Sequence, residues 1–410
     1  MSFIGRDAAL RRLQARVVAA PEERTVMNPP ISRRGFLARS ATLAAGAAFL
    51  PGGAAAETGV EPGEGRRPQD YIVVEGHRDI WEFNDRFKLR DQAQHSPLRD
   101  FIVPRLIEGG LSVVIMPAGG DSVDERGGVT NLLEGSLRVL DMLLVEIEKT
   151  NGRATLITTK GDVPTRPNKD TVQILLDLEG GGSIQIDPEP DYHADRRLAL
   201  LRHFFRLGVR GMQLTHNGRN MLAEGIENGK MGTRLSRFGV EVVKEMNRLG
   251  MIIGVSHLSA NGVLHVAEIT KQPIISSHQN IHPFLKSPLE LTPEEVKAIV
   301  TTGGVVGLRY IEGRTPYKLL VDECEYLART AGVQHIGIGW LGHDRGHPYS
   351  GYVPGATRPS RPPSEIENQT MYEHWETFIR MLGERGFTDQ DIGLIVGGNF
   401  LRVMRAVLPA

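Results

Sequence analysis

"LTPEEVKAIVTTGGVVGLRY", residues 291–310, holds one complete helix–strand unit of this chain. Thr292 has the chemistry of a helix N-cap, Pro293 suits the first helical position, and Glu295 completes a capping box. Gly303 and Gly304 stop the helix, and "VVGLRY" follows as a short apolar run of strand type. The plan recurs on both sides. "VEVVKEMNRLGMIIGVSH" (240–257) is helix, Gly250 as stop, strand, then His257. "GVLHVAEITKQPIISSH" (262–278) ends in His278, "LRHFFRLGVRGMQLTH" (201–216) in His216, and "EYLARTAGVQHIGIGWLGHD" (325–344) in His343 and Asp344. "TVQILLDLEGGG" (171–182) is a strand run closing on Glu179.

Serial helix–strand units imply a parallel sheet with right-handed crossovers. About eight strand runs of this kind predict a (β/α)8 TIM-type barrel, in which the chemistry sits at the C-terminal strand ends. His77, Asp79, Glu179, His216, His257, His278 and Asp344 all fall at or just past such ends. In "YIVVEGHRD" (71–79) an apolar run leads into His77 and Asp79, one residue apart. Alternation along a strand sends both to one face. A single strand-end histidine is usually a hydrogen-bonded loop residue. Several ionisable groups at one barrel mouth would desolvate one another without a cation, so the set points to metal. His203 and His265 lie inside helix patterns and read as packing or surface residues.

The bulk composition narrows the class. The chain has 410 residues, 40% hydrophobic and 24% charged, with a formal net charge of -1. That balance offers no basic excess for nucleic acid. The single cysteine, Cys324, excludes an intramolecular disulfide and a cysteine zinc site, leaving His, Asp and Glu as metal ligands. "GGG" at 180–182 lacks the helix signature that a dinucleotide-binding loop needs.

The N-terminal 1–56 read as an export signal of twin-arginine type. Arg33 and Arg34 precede a short Ala-rich apolar run ending in Ala54, Ala55 and Ala56. The run is too short to span a bilayer. Residues 1–26 read as a start assigned upstream of Met27, 57–66 as a linker, and 67–410 as one hydrolase domain. Cleavage near Ala56 leaves 40 basic against 46 acidic residues. The expected partner is the twin-arginine machinery, and the expected location is periplasmic or secreted.

Taken together, "EGHRD", "LLDLEGG", "RLGVRGMQLTHN", "FGVEVVKEMNRLGMIIGVSHLS", "QPIISSH", "GGVVGL" and "GGNFLRVMRAVL" resemble the membrane (renal-type) dipeptidases, peptidase family M19, over roughly 68–410. The resemblance implies a binuclear zinc site: His77 and Asp79 on one ion, Glu179 bridging, His257 and His278 on the other. It implies that a metal-bridging hydroxide attacks a dipeptide or similar small amide, while His216 contacts the substrate carbonyl. A homodimer is a candidate assembly. The chain departs from the family pattern at three places. Gly254 stands where the family has Asp, and Lys286 is the cation nearest to the expected substrate-gripping Arg. Leu341 occupies the gapless register of the proton-shuttling Asp, so Asp344 takes that role only across a bulge or insertion. These departures keep two other readings open: a relative acting on a modified amino acid or peptide-derived metabolite, and a non-catalytic metal- or ligand-binding protein. "RGHPYSGYVPGATRPSRPPSE" (345–365) reads as a long loop on the catalytic face, either a lid or a surface excursion.

Overall fold

The computed structural model describes residues 67–79, 96–121, 131–185, 194–285, 287–310, 316–341 and 371–410. The export-signal reading, Lys286, Asp344 and the loop 345–365 lie outside the described residues. Those described belong to one compact unit, Val60–Ala410.

Nine parallel strands form the sheet: β1 Val73–Glu75, β2 Leu111–Gly120, β3 Ala154–Leu156, β4 Val172–Glu179, β5 Val209–Gln213, β6 Ile252–Gly254, β7 Ile275–Ser276, β8 Val305–Arg309 and β9 Ile336–Trp340. Eight of them run in the order β1-β2-β4-β5-β6-β7-β8-β9, with β3 a side strand on β4. The ring closes between the last strand and the first. Gly76 N donates to Ile338 O (2.9 Å) and His77 N to Gly339 O (2.8 Å). The (β/α)8 reading is borne out.

Helices fill the connections: α1 Val103–Glu108, α2 Leu132–Lys149, α3 Ala194–Arg206, α4 Arg237–Leu249, α5 Ala260–Ile269, α6 Pro293–Thr301, α7 Tyr317–Thr330, α8 Met371–Glu384, α9 Asp389–Gly393 and α10 Asn399–Val407. Their ends follow the sequence punctuation. On α6, Thr292 and Glu295 form the capping box with Pro293 in the first turn. Ser236 caps α4, whose last turn closes on left-handed Gly250. No helix among the described residues is long and apolar enough to cross a membrane.

Strand alternation sorts side chains into two layers. On β8, Val306 and Leu308 face outward into the core between sheet and helices, while Val305 faces the barrel interior. On β4, Ile174, Leu176 and Leu178 face outward and Leu175 inward. The lower interior is an apolar cluster in which Val74, Val113, Ile115, Ile252, Ile275 and Val305 meet Phe400, Leu401 and Met404 of α10. That helix closes the N-terminal end of the barrel. A Cβ on Gly76 or Gly337 would strike the Phe400 ring at 2.5 Å, so the absence of side chains there lets the ring enter.

Candidate metal centre

Above that floor the inward positions change character. Two residues along β4 from Leu175 comes Asp177, and two further comes Glu179, both buried. Gln213 fills the space beside Gly254, where a Cβ would lie 2.7 Å from Gln213 Cγ. Gln213 Nε2 donates to Asp177 Oδ2 at 3.5 Å.

Four imidazoles converge on one oxygen, Glu179 Oε1. His77 Nε2 lies 3.4 Å from it, His257 Nε2 3.5 Å, His216 Nε2 3.7 Å and His278 Nε2 3.9 Å. These groups follow four different strands, β1, β5, β6 and β7, so only the closed ring assembles them. Asp79 stands beside His77, 3.7 Å from its Nε2. His77, Glu179 and His278 form one potential ligand group, and Glu179, His216 and His257 another. Asp79 belongs to neither group.

Two of the imidazoles, His257 and His278, are oriented by hydrogen-bonding neighbours. His257 Nδ1 faces Asn217 Oδ1 at 2.8 Å, and both residues hold left-handed backbone, with φ of 62° and 43°. Non-glycine residues pay for that conformation and persist in it where surrounding contacts over-determine them. His278 Nδ1 faces Ser277 Oγ at 2.8 Å, and Ser256 Oγ accepts from His278 N at 3.2 Å. The other nitrogens of these two rings are then directed at each other, 2.8 Å apart. His77 and His278 stack with centroids 3.9 Å apart.

This arrangement fits a cation. One carboxylate oxygen cannot accept from four ring nitrogens, and separations of 3.4–3.9 Å are too long for good hydrogen bonds. They suit ligands of a shared ion, since two groups each about 2.1 Å from zinc at a tetrahedral angle stand roughly 3.4 Å apart. Buried His77 Nε2 and Glu179 Oε2 have no hydrogen-bond partner among the described residues. Electrostatics divides the cluster. Burial disfavours a charged His77, but Glu179, Asp79 and Asp177 outweigh it and push the ring up to about 9. Burial lowers His257 to about 4 and holds His278 well below the usual histidine value, with Arg309 and the neighbouring imidazoles adding to the effect on His278. Burial works against ionised Glu179, yet the histidines around it hold it well below the usual carboxylate range.

Three other described histidines stand apart. His265 Nδ1 accepts from Leu235 N (3.2 Å), His335 Nδ1 faces Gly304 O (2.7 Å), and His374 pairs with Tyr317 in the outer layer. Leu341 is buried in that outer layer, and its backbone N donates to Glu75 Oε1 at 3.3 Å. Two polar residues below and beside the cluster escaped the sequence reading. Asp177 was readable as the inward residue two before Glu179; burial pushes it up to about 6. Asp121, just past β2, carried no comparable signal.

Residues 68–409 match the model of the family described as membrane dipeptidase (peptidase family M19). The chain is 27% identical over 281 residues to dipeptidase verJ of Clonostachys rogersoniana, covering 67% of this chain and 66% of that protein. It is 25% identical over 288 residues to an uncharacterized dipeptidase of Schizosaccharomyces pombe, covering 67% and 63%. The chain thus spans slightly less than two thirds of the length of these relatives. Among solved structures, the probable dipeptidase PvdM of Pseudomonas aeruginosa shares the fold, with a TM-score of 0.64, 16% identity, and coverage of 83% and 96%. So does a Rhodobacter sphaeroides metallopeptidase liganded with a phosphinate mimic of L-Ala-D-Ala, at 0.63 and 18%, covering 82% and 100%. With the family match running over nearly the whole barrel, the chain belongs to the membrane dipeptidases, peptidase family M19, a family of metal-dependent hydrolases.

Proposed function

We propose that this protein is an exported zinc-dependent hydrolase that cleaves dipeptides or similar small amides. The observation that carries the reading is the convergence of four imidazole nitrogens on Glu179 Oε1 at the mouth of a closed barrel. His77 and Asp79 would hold one zinc, His257 and His278 a second, and Glu179 both. When bound, two such ions lower the pKa of a water and polarise the amide carbonyl.

The chain's own groups do the rest. The ring of His216 faces the same Glu179 oxygen from β5 and donates to the substrate's carbonyl oxygen as negative charge develops there. Asp344 is assigned the proton transfer: its carboxylate takes a proton from the attacking water and delivers it to the leaving nitrogen. Arg33 and Arg34 direct export.

A second reading, action on a modified amino acid or peptide-derived metabolite, is favoured by one observation. Leu341, in the register of the usual proton carrier, packs into the outer layer instead of the mouth. Metal analysis and a dipeptide panel test the main reading. Purified protein should carry close to two zinc ions, and His278→Ala should lose one of them with the fold intact. Zinc-loaded protein that turns over modified amides but none of the dipeptides would transfer the assignment to the second reading. Retention of the precursor in the cytoplasm by an Arg33→Lys, Arg34→Lys variant tests export.

A further inference from the structure

The triple glycine at 180–182 has no part in the metal cluster, yet it directly follows Glu179. Its role becomes visible in what fills the space it leaves. A Cβ on Gly180 or Gly182 would fall on the carboxylate of Asp121, and Gly180 takes a φ of 103°. Asp121 is the first residue past β2, and its backbone N donates to Glu179 O at 2.9 Å. One carboxylate oxygen accepts from Gly182 N. The other accepts from Asn220 Nδ2 at 2.8 Å and from the backbone N of His216 at 3.4 Å.

Asn220 passes the constraint onward. Its side-chain nitrogen also donates to Leu214 O at 2.7 Å, and its Oδ1 accepts from Leu222 N at 2.8 Å and Ala223 N at 3.2 Å. The loop that carries His216 is thereby tied at both ends to one side chain, which is itself held by Asp121. Among the described residues every partner of the Asp121 carboxylate is a donor, so the group is used as an acceptor on both oxygens. Burial pushes its carboxyl up to about 6 against the pull of Asn220, Gly182 and His216.

We infer that Asp121, seated in the Gly180–Gly182 cradle, is a positioning residue that sets His216 over Glu179 through Asn220 and the 214–223 loop. The inference rests on the proposed role of His216 at the substrate carbonyl. Outer partners of this kind typically carry roughly a 10- to 100-fold effect when removed.

A coupling experiment on zinc-loaded protein tests it. Asp121→Ala should lower kcat on a cleaved dipeptide by roughly 10- to 100-fold with zinc content unchanged. In a His216→Ala background the same substitution should cost less than about 2-fold, because residues acting through one group are not additive. Additive losses, or loss of zinc in Asp121→Ala, would overturn the inference. If Asp121→Ala does not fold, Asp121→Asn takes its place, since its amide sets a donor against Gly182 N or Asn220 Nδ2. A second readout needs no turnover. Backbone amides of 214–217 in metal-free Asp121→Asn should exchange with solvent at least 10-fold faster than in wild type, while those of β8 stay unchanged. Unchanged exchange at 214–217 would also overturn it. Failure of wild type to cleave any dipeptide, with the exchange result as expected, would fault the substrate assignment and leave the positioning role standing.

Discussion

Between Phe400 at the closed end of the barrel and Glu179 at the open end, the interior changes from aliphatic to ionisable within a few residues of each strand. On β4 the inward series is Leu175, Asp177, Glu179; on β8 it is Val305, Gly307, Arg309. Steps of two residues along a strand cover about 7 Å. The floor is stabilised by dispersion and by apolar surface removed from water. The mouth gives up both, burying carboxylates and imidazoles that repay their desolvation only when a cation or a full set of hydrogen bonds is supplied. The contrast teaches that stability and chemistry are separated along the barrel axis, so a change at one end should register in one measurement and spare the other.

Glu179→Gln should have the largest effect. It removes the charge that all four imidazoles face, so zinc content should drop and turnover on any amide substrate should become undetectable, while the circular dichroism of the barrel persists. Two retained ions in this variant would break the comparison at its functional end.

Phe400→Ala tests the floor. Emptying a fully buried aromatic site costs about 3–5 kcal/mol, which denaturant titration will read directly. Activity per folded molecule should stay near wild type. A fall in kcat as steep as the fall in stability would show that the two ends are coupled.

A third test uses Glu323 of α7, a buried carboxylate on the mouth side that accepts from Asn280 Nδ2 (2.7 Å) and Ile281 N (3.0 Å) just past His278. Burial pushes it up to about 7 from the ordinary 4.5, against those hydrogen bonds. A raised carboxyl pKa means that the folded chain holds the proton more tightly than the unfolded one. The resulting stabilisation is complete below about pH 4.5 and is lost as pH rises through about 7, a change of about 3 kcal/mol. The stability difference between wild type and Glu323→Gln should therefore shrink across that window. A difference independent of pH would remove Glu323 from the account.

The smallest effect is expected at the boundary between the two regimes. Gly254→Ala sets a Cβ 2.7 Å from Gln213 Cγ and 3.2 Å from Gln213 Cα, so the Gln213 side chain must turn aside, and the change should cost about 1 kcal/mol in thermal or chemical melts. A much larger loss would place the rigid part of the interior one layer higher.

The sequence made the ring of site residues legible because helix stops and apolar runs locate strand ends, and a barrel gathers strand ends in one place. His77, Glu179, His216, His257 and His278 follow from that logic. Asp177 was within reach of the same reasoning, since it shares the inward face with Glu179. Asp121 and Glu323 were not. Asp121 follows a glycine pair and resembles any turn residue, and the partners of its carboxylate lie in the segments that follow β4 and β5. Glu323 sits in an amphipathic helix whose buried face becomes specific only when α7 packs beside the segment after β7. Leu341 shows the opposite limit: gapless register assigned it to the mouth, whereas its side chain packs with the larger apolar cluster.

The Phe400 ring has a consequence for how the chain is made. It enters a space bounded by Gly76 and Gly337, so one end of the earliest strand is sealed by a residue more than three hundred positions later. Until the segment around 394–408 has left the ribosome, the nascent barrel presents Val74, Val113, Ile115 and Leu175 through an open base. Long-range closure of this kind is slow and leaves apolar surface available to other chains. Ribosome-bound chains arrested before residue 394 should therefore be captured by hydrophobic-binding chaperones, where those arrested after 408, with enough linker to clear the exit tunnel, are released.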